Sequence, residues 1–256
     1  MRLAQGLGGP TFGLSEMNDK RDLTSRPAAG GVRETPSSGR DIDAFLKRAS
    51  SLAPVGEAAR GRLIFALDAT MSRQPTWDMA CELQAEMFDA AGSVGGLSVQ
   101  LIYFRGFGEC RASGWVADTK SLRELMVKID CRGGQTQIRK VLAHARREAQ
   151  KRPVAALVYV GDCMEENVDQ LCKLAGELGL LGVRCFMFHE GADPAAARAF
   201  REIARLTGGA YLPFNAGAAR ELRALLAAVA TYAAGGLKAL EGAKGEAARR
   251  LLTHIR

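Results

Sequence analysis

The stretch that most constrains this chain is Arg62 to Ser72, Arg-Leu-Ile-Phe-Ala-Leu-Asp-Ala-Thr-Met-Ser. Leu63 to Leu67 form an unbroken apolar run, the pattern of a strand buried on both faces in a parallel sheet. The run ends on Asp68, with Thr70 and Ser72 following at alternate positions. One carboxylate and two hydroxyls therefore leave the end of a buried strand together. Pro75 sits where the first turn of a helix accepts proline, so a strand–loop–helix unit is expected. Open α/β sheets bind ligands at the carboxyl ends of their strands.

Further strand and helix patterns alternate along the chain. Trp77, Ala80, Cys81, Gln84, Met87, Phe88 and Ala91 recur at helical spacing, before Gly92, Gly95 and Gly96 end that helix. Leu97 to Phe104 reads as a strand. Gly106 and Gly108 then permit a tight reversal into a weaker strand, Glu109 to Trp115. Leu122, Leu125, Met126 and Ile129 mark a helix, and the loop Cys131-Arg132-Gly133-Gly134-Gln135-Thr136 carries two glycines, which permit unusual backbone angles. The next helix turns Ile138, Val141, Leu142, Ala145 and Ala149 inward. Val154 to Val160, Val183 to Phe188, and Tyr211 with Leu212 supply further strands, each followed by a helical pattern. The alternation predicts an α/β fold over 60–234, with a doubly wound, mostly parallel sheet, one antiparallel edge strand and helices on both faces.

Outside that domain, residues 1–40 are rich in Gly, Pro, Ser, Thr and Arg and show neither period, which predicts a disordered tail. Residues 41–59 are expected to be a linker with a short helix, Asp41 to Leu52, carrying Ile42, Phe45, Leu46 and Ala49 on one face. Gly235-Gly236 reads as a break. Beyond it, 235–256 predicts a basic amphipathic helix with Leu237, Leu240, Leu251, Leu252 and Ile255, packed back on the domain or facing a partner.

Three loops are expected at the carboxyl edge of the sheet: Asp68 to Ser72, Gly133 to Thr136, and Gly161-Asp162. Together they offer two carboxylates, Asp68 and Asp162, and three hydroxyls, Thr70, Ser72 and Thr136. Oxygen-only groups suit a hard divalent cation. Set out in this order, the loops resemble a von Willebrand factor type A (VWA) domain with its metal-ion-dependent adhesion site, of bacterial cytoplasmic type. That signature is Asp-x-Ser-x-Ser plus a distal Thr and Asp. The resemblance covers about Arg62 to Tyr232 and includes the glycine-linked hairpin. It implies Mg²⁺ or Mn²⁺ with Thr70 and Ser72 as direct ligands, charge from Asp68 and Asp162, and Thr136 completing the protein's share. It also implies a non-enzymatic adaptor or scaffold whose protein partner supplies an acidic ligand to the metal. The pattern departs at Thr70, where Ser is usual, at Met71 and Gln135, where Gly is common, and at Arg73, a cation beside the proposed ion.

Two other functions follow from single features. An RNA-binding VWA protein would use Arg139, Lys140, Arg146 and Arg147, in the densest basic region of a chain with net charge +7. Against it, the basic residues are spread over helix faces without interleaved aromatics. A haloacid-dehalogenase-like phosphohydrolase would use Asp68 as nucleophile, but needs a second Asp two residues later, where Thr70 stands. His144 and His254 are expected to face solvent, and His189 has no evident nucleophile partner. Cys163, next to Asp162, would have its thiol pKa lowered by a nearby cation. The six cysteines form no Cys-x-x-Cys pair and lie inside helix and strand patterns, as buried reduced thiols do. No run reaches the roughly 18–20 apolar residues of a membrane span, and the first thirty residues lack a secretory pattern. The expected compartment is the cytoplasm.

Overall fold

The computed structural model describes residues 60–92, 94–214 and 219–255, without the side chains of Arg73, Gln84, Ala85 and Ala219. The expected tail over 1–40 and the linker helix within 41–59 lie outside the described residues, as does the Arg73 side chain.

Strand β1, Gly61–Asp68, is buried from Arg62 onward. Leu63, Phe65 and Leu67 enter one hydrophobic core, and Ile64 and Ala66 enter the other. Successive side chains of a strand point to opposite faces, so an unbroken apolar run is what a doubly covered strand requires. The remaining strands are β2 (Leu97–Arg105), β3 (Glu109–Val116), β4 (Ala156–Gly161), β5 (Arg184–Glu190) and β6 (Ala210–Phe214). They form one sheet in the order β3-β2-β1-β4-β5-β6. Only the β2–β3 pair, the hairpin at the sheet edge, is antiparallel.

One core holds α1 (Gln74–Gly92), α2 (Thr119–Met126), α6 (Ala219–Gly242) and α7 (Glu246–Ile255) against the sheet. The other holds α3 (Ile138–Lys151), α4 (Val168–Leu180) and α5 (Pro194–Thr207). A short 3₁₀ turn, Met71–Arg73, leads into α1. Side chains satisfy the first free amides of three helices: Asp118 accepts from Ser121 N at 2.9 Å, Asn167 from Gln170 N at 3.0 Å, and Asp193 from Ala196 N at 2.5 Å.

Strand order reverses at β1. The chain builds β2 and β3 on one side of it, then crosses over through α3 to place β4 on the other. The carboxyl ends of β1 and β4 therefore flank a topological switch point, where the two following loops diverge and leave a crevice. Asp68 ends β1, and Asp162 directly follows β4.

Residues 235–256 are not one helix. Helix α6 continues to Gly242 through a kink at Gly236 (φ 67°), and α7 is separate. Leu240, Ala248, Leu251 and Ile255 are buried in the same core as β1. Arg220–Gly242 is long and apolar enough to cross a membrane, with mean hydropathy 1.2, but its Leu222, Leu225, Leu226 and Val229 pack in that core.

Candidate metal centre

Asp68 is 3% exposed at the end of β1, and its Oδ1 accepts a hydrogen bond from Thr70 N at 2.8 Å. This Asx-type contact turns the chain out of the strand. Ala69 N, bonded to Phe104 O at 2.9 Å, carries the β1–β2 ladder one residue further. Thr70, 8% exposed, lies with its Oγ1 3.3 Å from Ser72 Oγ. Ser72 Oγ in turn donates to Asp162 Oδ2 at 3.3 Å. Four of the five residues singled out by sequence are thus joined in one hydrogen-bonded chain across the switch point.

Thr136, 5% exposed, reaches the same edge by a different route. Its loop is stapled to the first-strand loop by Arg132 N bonded to Ala69 O at 2.9 Å, and to the hairpin turn by Gln135 N bonded to Gly106 O at 3.1 Å. Gln137 Nε2 adds bonds to Arg105 O (3.2 Å) and Glu109 O (3.1 Å). The glycines of this loop are not there for unusual angles, since neither Gly133 nor Gly134 has a positive φ. Gly134 is there for closeness: a Cβ on it would lie 2.3 Å from the Gly106 backbone.

Thr136 meets the first loop only indirectly. Its Oγ1 donates to Glu165 Oε2 at 2.7 Å, and its N donates to the same oxygen at 3.2 Å. Glu165 follows Asp162 in the β4–α4 loop. The next residue, Glu166, accepts from Ile138 N and, at 3.0 Å, from Arg139 N, capping α3 from another part of the chain. Burial pushes the Glu166 carboxyl above its usual range, against the pull of those two amides. From sequence, Glu165 and Glu166 were candidates only to pair with Arg73, whose side chain lies outside the described residues. One signal was available: the residue before α3 is Gln137, a poor N-cap type, and it indeed makes no side-chain cap bond, so the helix start is satisfied from elsewhere.

The other candidates settle into structural roles. His189 is fully buried, with Nδ1 2.8 Å from Tyr211 Oη, Nε2 3.1 Å from Asp162 O, and its ring edge-on to Phe200. It braces the backbone that carries Asp162. His254 is exposed, but His144 is half-buried rather than solvent-facing, with Nε2 2.9 Å from Gln100 Oε1. Cys163 is a half-buried loop thiol that burial, then the Asp162 and Glu165 carboxylates, push up in the absence of a cation. All six cysteines are free thiols. Thr76 and Glu190, both buried, pair by a hydrogen bond between α1 and the end of β5. Neither was singled out, because that contact spans 114 residues.

The donor chemistry fits a hard divalent cation. Among the described residues no group of three His, Cys, Asp or Glu side chains stands together so as to hold a metal ion. The set here is instead two carboxylates and three hydroxyls. The Ser72 and Thr136 hydroxyls give their hydrogens to Asp162 and Glu165, which leaves oxygen lone pairs as the groups available to a cation. Glu165 N takes one of those on Thr136 weakly, at 3.5 Å.

No protein-family model and no curated protein matches the sequence. Solved structures do. The SpRpn10 VWA domain superposes with a TM-score of 0.51 at 12% identity, over 62% of this chain and 90% of that domain. Proximal thread matrix protein 1 from the mussel byssus gives 0.53 at 19% identity, over 69% of this chain and 48% of that one. The same byssus protein with a zinc-occupied MIDAS motif gives 0.52 at 18% identity. The chain thus spans about half the length of the byssus protein. At such identities the likeness is one of fold, and the sheet with its two helix layers has the fold of von Willebrand factor type A domains.

Proposed function

We propose that this chain is a non-enzymatic, protein-binding adaptor or scaffold of bacterial cytoplasmic type. It engages its partner through a Mg²⁺- or Mn²⁺-dependent adhesion site at the carboxyl edge of the sheet. The observation that carries this reading is the hydrogen-bonded oxygen chain Asp68–Thr70–Ser72–Asp162 across the β1/β4 switch point. Thr70 and Ser72 would hold the ion directly, with charge from Asp68 and Asp162 and with Thr136 completing the set. When bound, the ion supplies an electrophilic position that an acidic side chain of the partner can occupy. Asp162 is kept in place by His189 under its carbonyl, and Thr136 by Glu165. The cytoplasmic placement rests on six free thiols inside helices, strands and loops. The solved VWA structures support the fold only.

A phosphohydrolase reading lacks its general acid, because the Thr70 hydroxyl two residues after Asp68 does not release a proton near neutral pH. The test is affinity capture with the full chain as bait. Partner recovery should be lost with chelator, regained on adding Mg²⁺, and absent for Asp68→Ala. Recovery that ignores both chelator and the substitution contradicts the metal-bridged mode.

A further inference from the structure

The outer face of α3 and the edge strand β3 enclose a cleft of about 260 Å³ that none of the five metal-site residues lines. Arg111 enters it from β3, and Arg139, Lys140 and Arg147 enter from α3. No carboxylate lines it. Nearby acids are committed elsewhere. Glu109 pairs with Arg105 and Arg111, and Glu166 accepts from backbone amides of α3. Glu177 takes Arg146, the neighbour of Arg147 on the helix. Lys140 Nζ is pinned by Gly108 O (2.7 Å) and Gln137 Oε1 (2.8 Å). Among the described residues the Arg139 and Arg147 side chains form no ion pair.

We propose that this cleft binds a phosphate-bearing small molecule carrying two or more negative charges, as a second site independent of the metal reading. Arg139, Lys140 and Arg147 share the concavity without a carboxylate partner among the described residues, beside Arg111 already paired to Glu109, and a bound anion relieves the repulsion among them. A cleft lined by one sign of charge also concentrates counter-ions. The planar forks of Arg139 and Arg147 match phosphate oxygens in pairs. Ile102, Ala112 and Ala143 give the cleft apolar wall for an uncharged part of the ligand.

His144 offers an acceptor to a hydrogen-bond donor on the uncharged part of the ligand, not to its phosphate. Gln100 donates through Nε2 to Ser113 O at 2.9 Å, which turns its Oε1 toward His144 Nε2, also at 2.9 Å. His144 Nε2 must therefore carry a hydrogen, and Nδ1 has no partner among the described residues. Burial chiefly, with Arg147 and Lys151 and against Glu148, holds the imidazole below its usual pKa. The volume lies below the ~300–1,000 Å³ of ordinary ligand pockets.

The test uses the full chain, titrated by calorimetry with inorganic pyrophosphate, with adenosine diphosphate and with a single-stranded oligoribonucleotide. A single saturable site for the two small phosphates is expected, and the His144 ring resonances should move on binding. Arg139→Ala/Arg147→Ala, both exposed and so compatible with folding, should weaken binding by about tenfold or more, as loss of two charge-assisted contacts implies. Asp68→Ala, and Arg198→Ala/Arg201→Ala on α5, should leave binding unchanged, which separates this site from the metal centre and from general basicity. Three results would overturn the proposal: no saturable binding of either small phosphate, equal binding by the Arg139/Arg147 variant, or an oligoribonucleotide bound more tightly than both.

Discussion

Glu165 is the residue on which Thr136 depends. It accepts from both the amide and the hydroxyl of Thr136, a residue almost out of contact with water. Glu165→Ala leaves those two donors without an acceptor, a loss expected to cost about 1–3 kcal/mol of stability. It should also weaken Mn²⁺ binding about 10- to 100-fold, as removal of a group that orients a ligand does. Paired denaturant and Mn²⁺ titrations check both effects. Glu109 makes a second residue-scale prediction. Hydrogen bonds from Arg105 chiefly, then Tyr103 and Arg111, draw its carboxyl down from the ordinary 4.5 to about 2, against some desolvation. A depressed folded pKa stabilises above the unfolded value and is lost as protons are taken up. The melting temperature should therefore fall between about pH 4.5 and about pH 2, and Glu109→Gln should flatten that part of the profile.

Among elements, the hairpin and the α2–α3 loop act as one device. Gly134 passes against the backbone of Gly106, while nothing stands within 4 Å of a Cβ on Gly133. Gly134→Ala should destabilise by about 1–3 kcal/mol through overpacking, and should displace Thr136. Gly133→Ala should be near neutral, and thermal melts of the pair separate the two. Both glycines were visible in the sequence, but not which of them mattered, because the contact joins residues far apart in the chain. The hairpin itself was legible, since Gly106 and Gly108 bracket its turn between two strand patterns. β1 was legible for a similar reason: a short apolar run ending on Asp68 needs no partner to be recognised. Arg62 was not. It lies buried at 8% exposure, with its guanidinium 3.8 Å from the Trp115 ring centroid and Nη2 3.1 Å from Glu148 Oε2. His144 was misread because helical spacing says which way a residue faces on its own helix, and Gln100 comes from another element.

Across the whole molecule, the strand order brings distant oxygens together. Asp68 and Asp162 are 94 positions apart in sequence, yet β1 and β4 are adjacent and parallel, and their ends coincide. The C-terminal segment closes the core shared with α1, α2 and α6 through Leu240, Leu251 and Ile255. Leu251→Ala should therefore cost about 2–5 kcal/mol, measured by denaturant unfolding, whereas an α7 held only for a partner would show almost no loss. At the carboxyl edge, the five side chains Asp68, Thr70, Ser72, Thr136 and Asp162 from three loops are the proposed cation site. Its most direct test is Mn²⁺ calorimetry on the full chain and on Asp68→Ala, with circular dichroism confirming that the variant is folded. Saturable binding at one site, abolished in the variant, is the predicted result. Absence of saturable binding, or equal affinity in the folded variant, would contradict it.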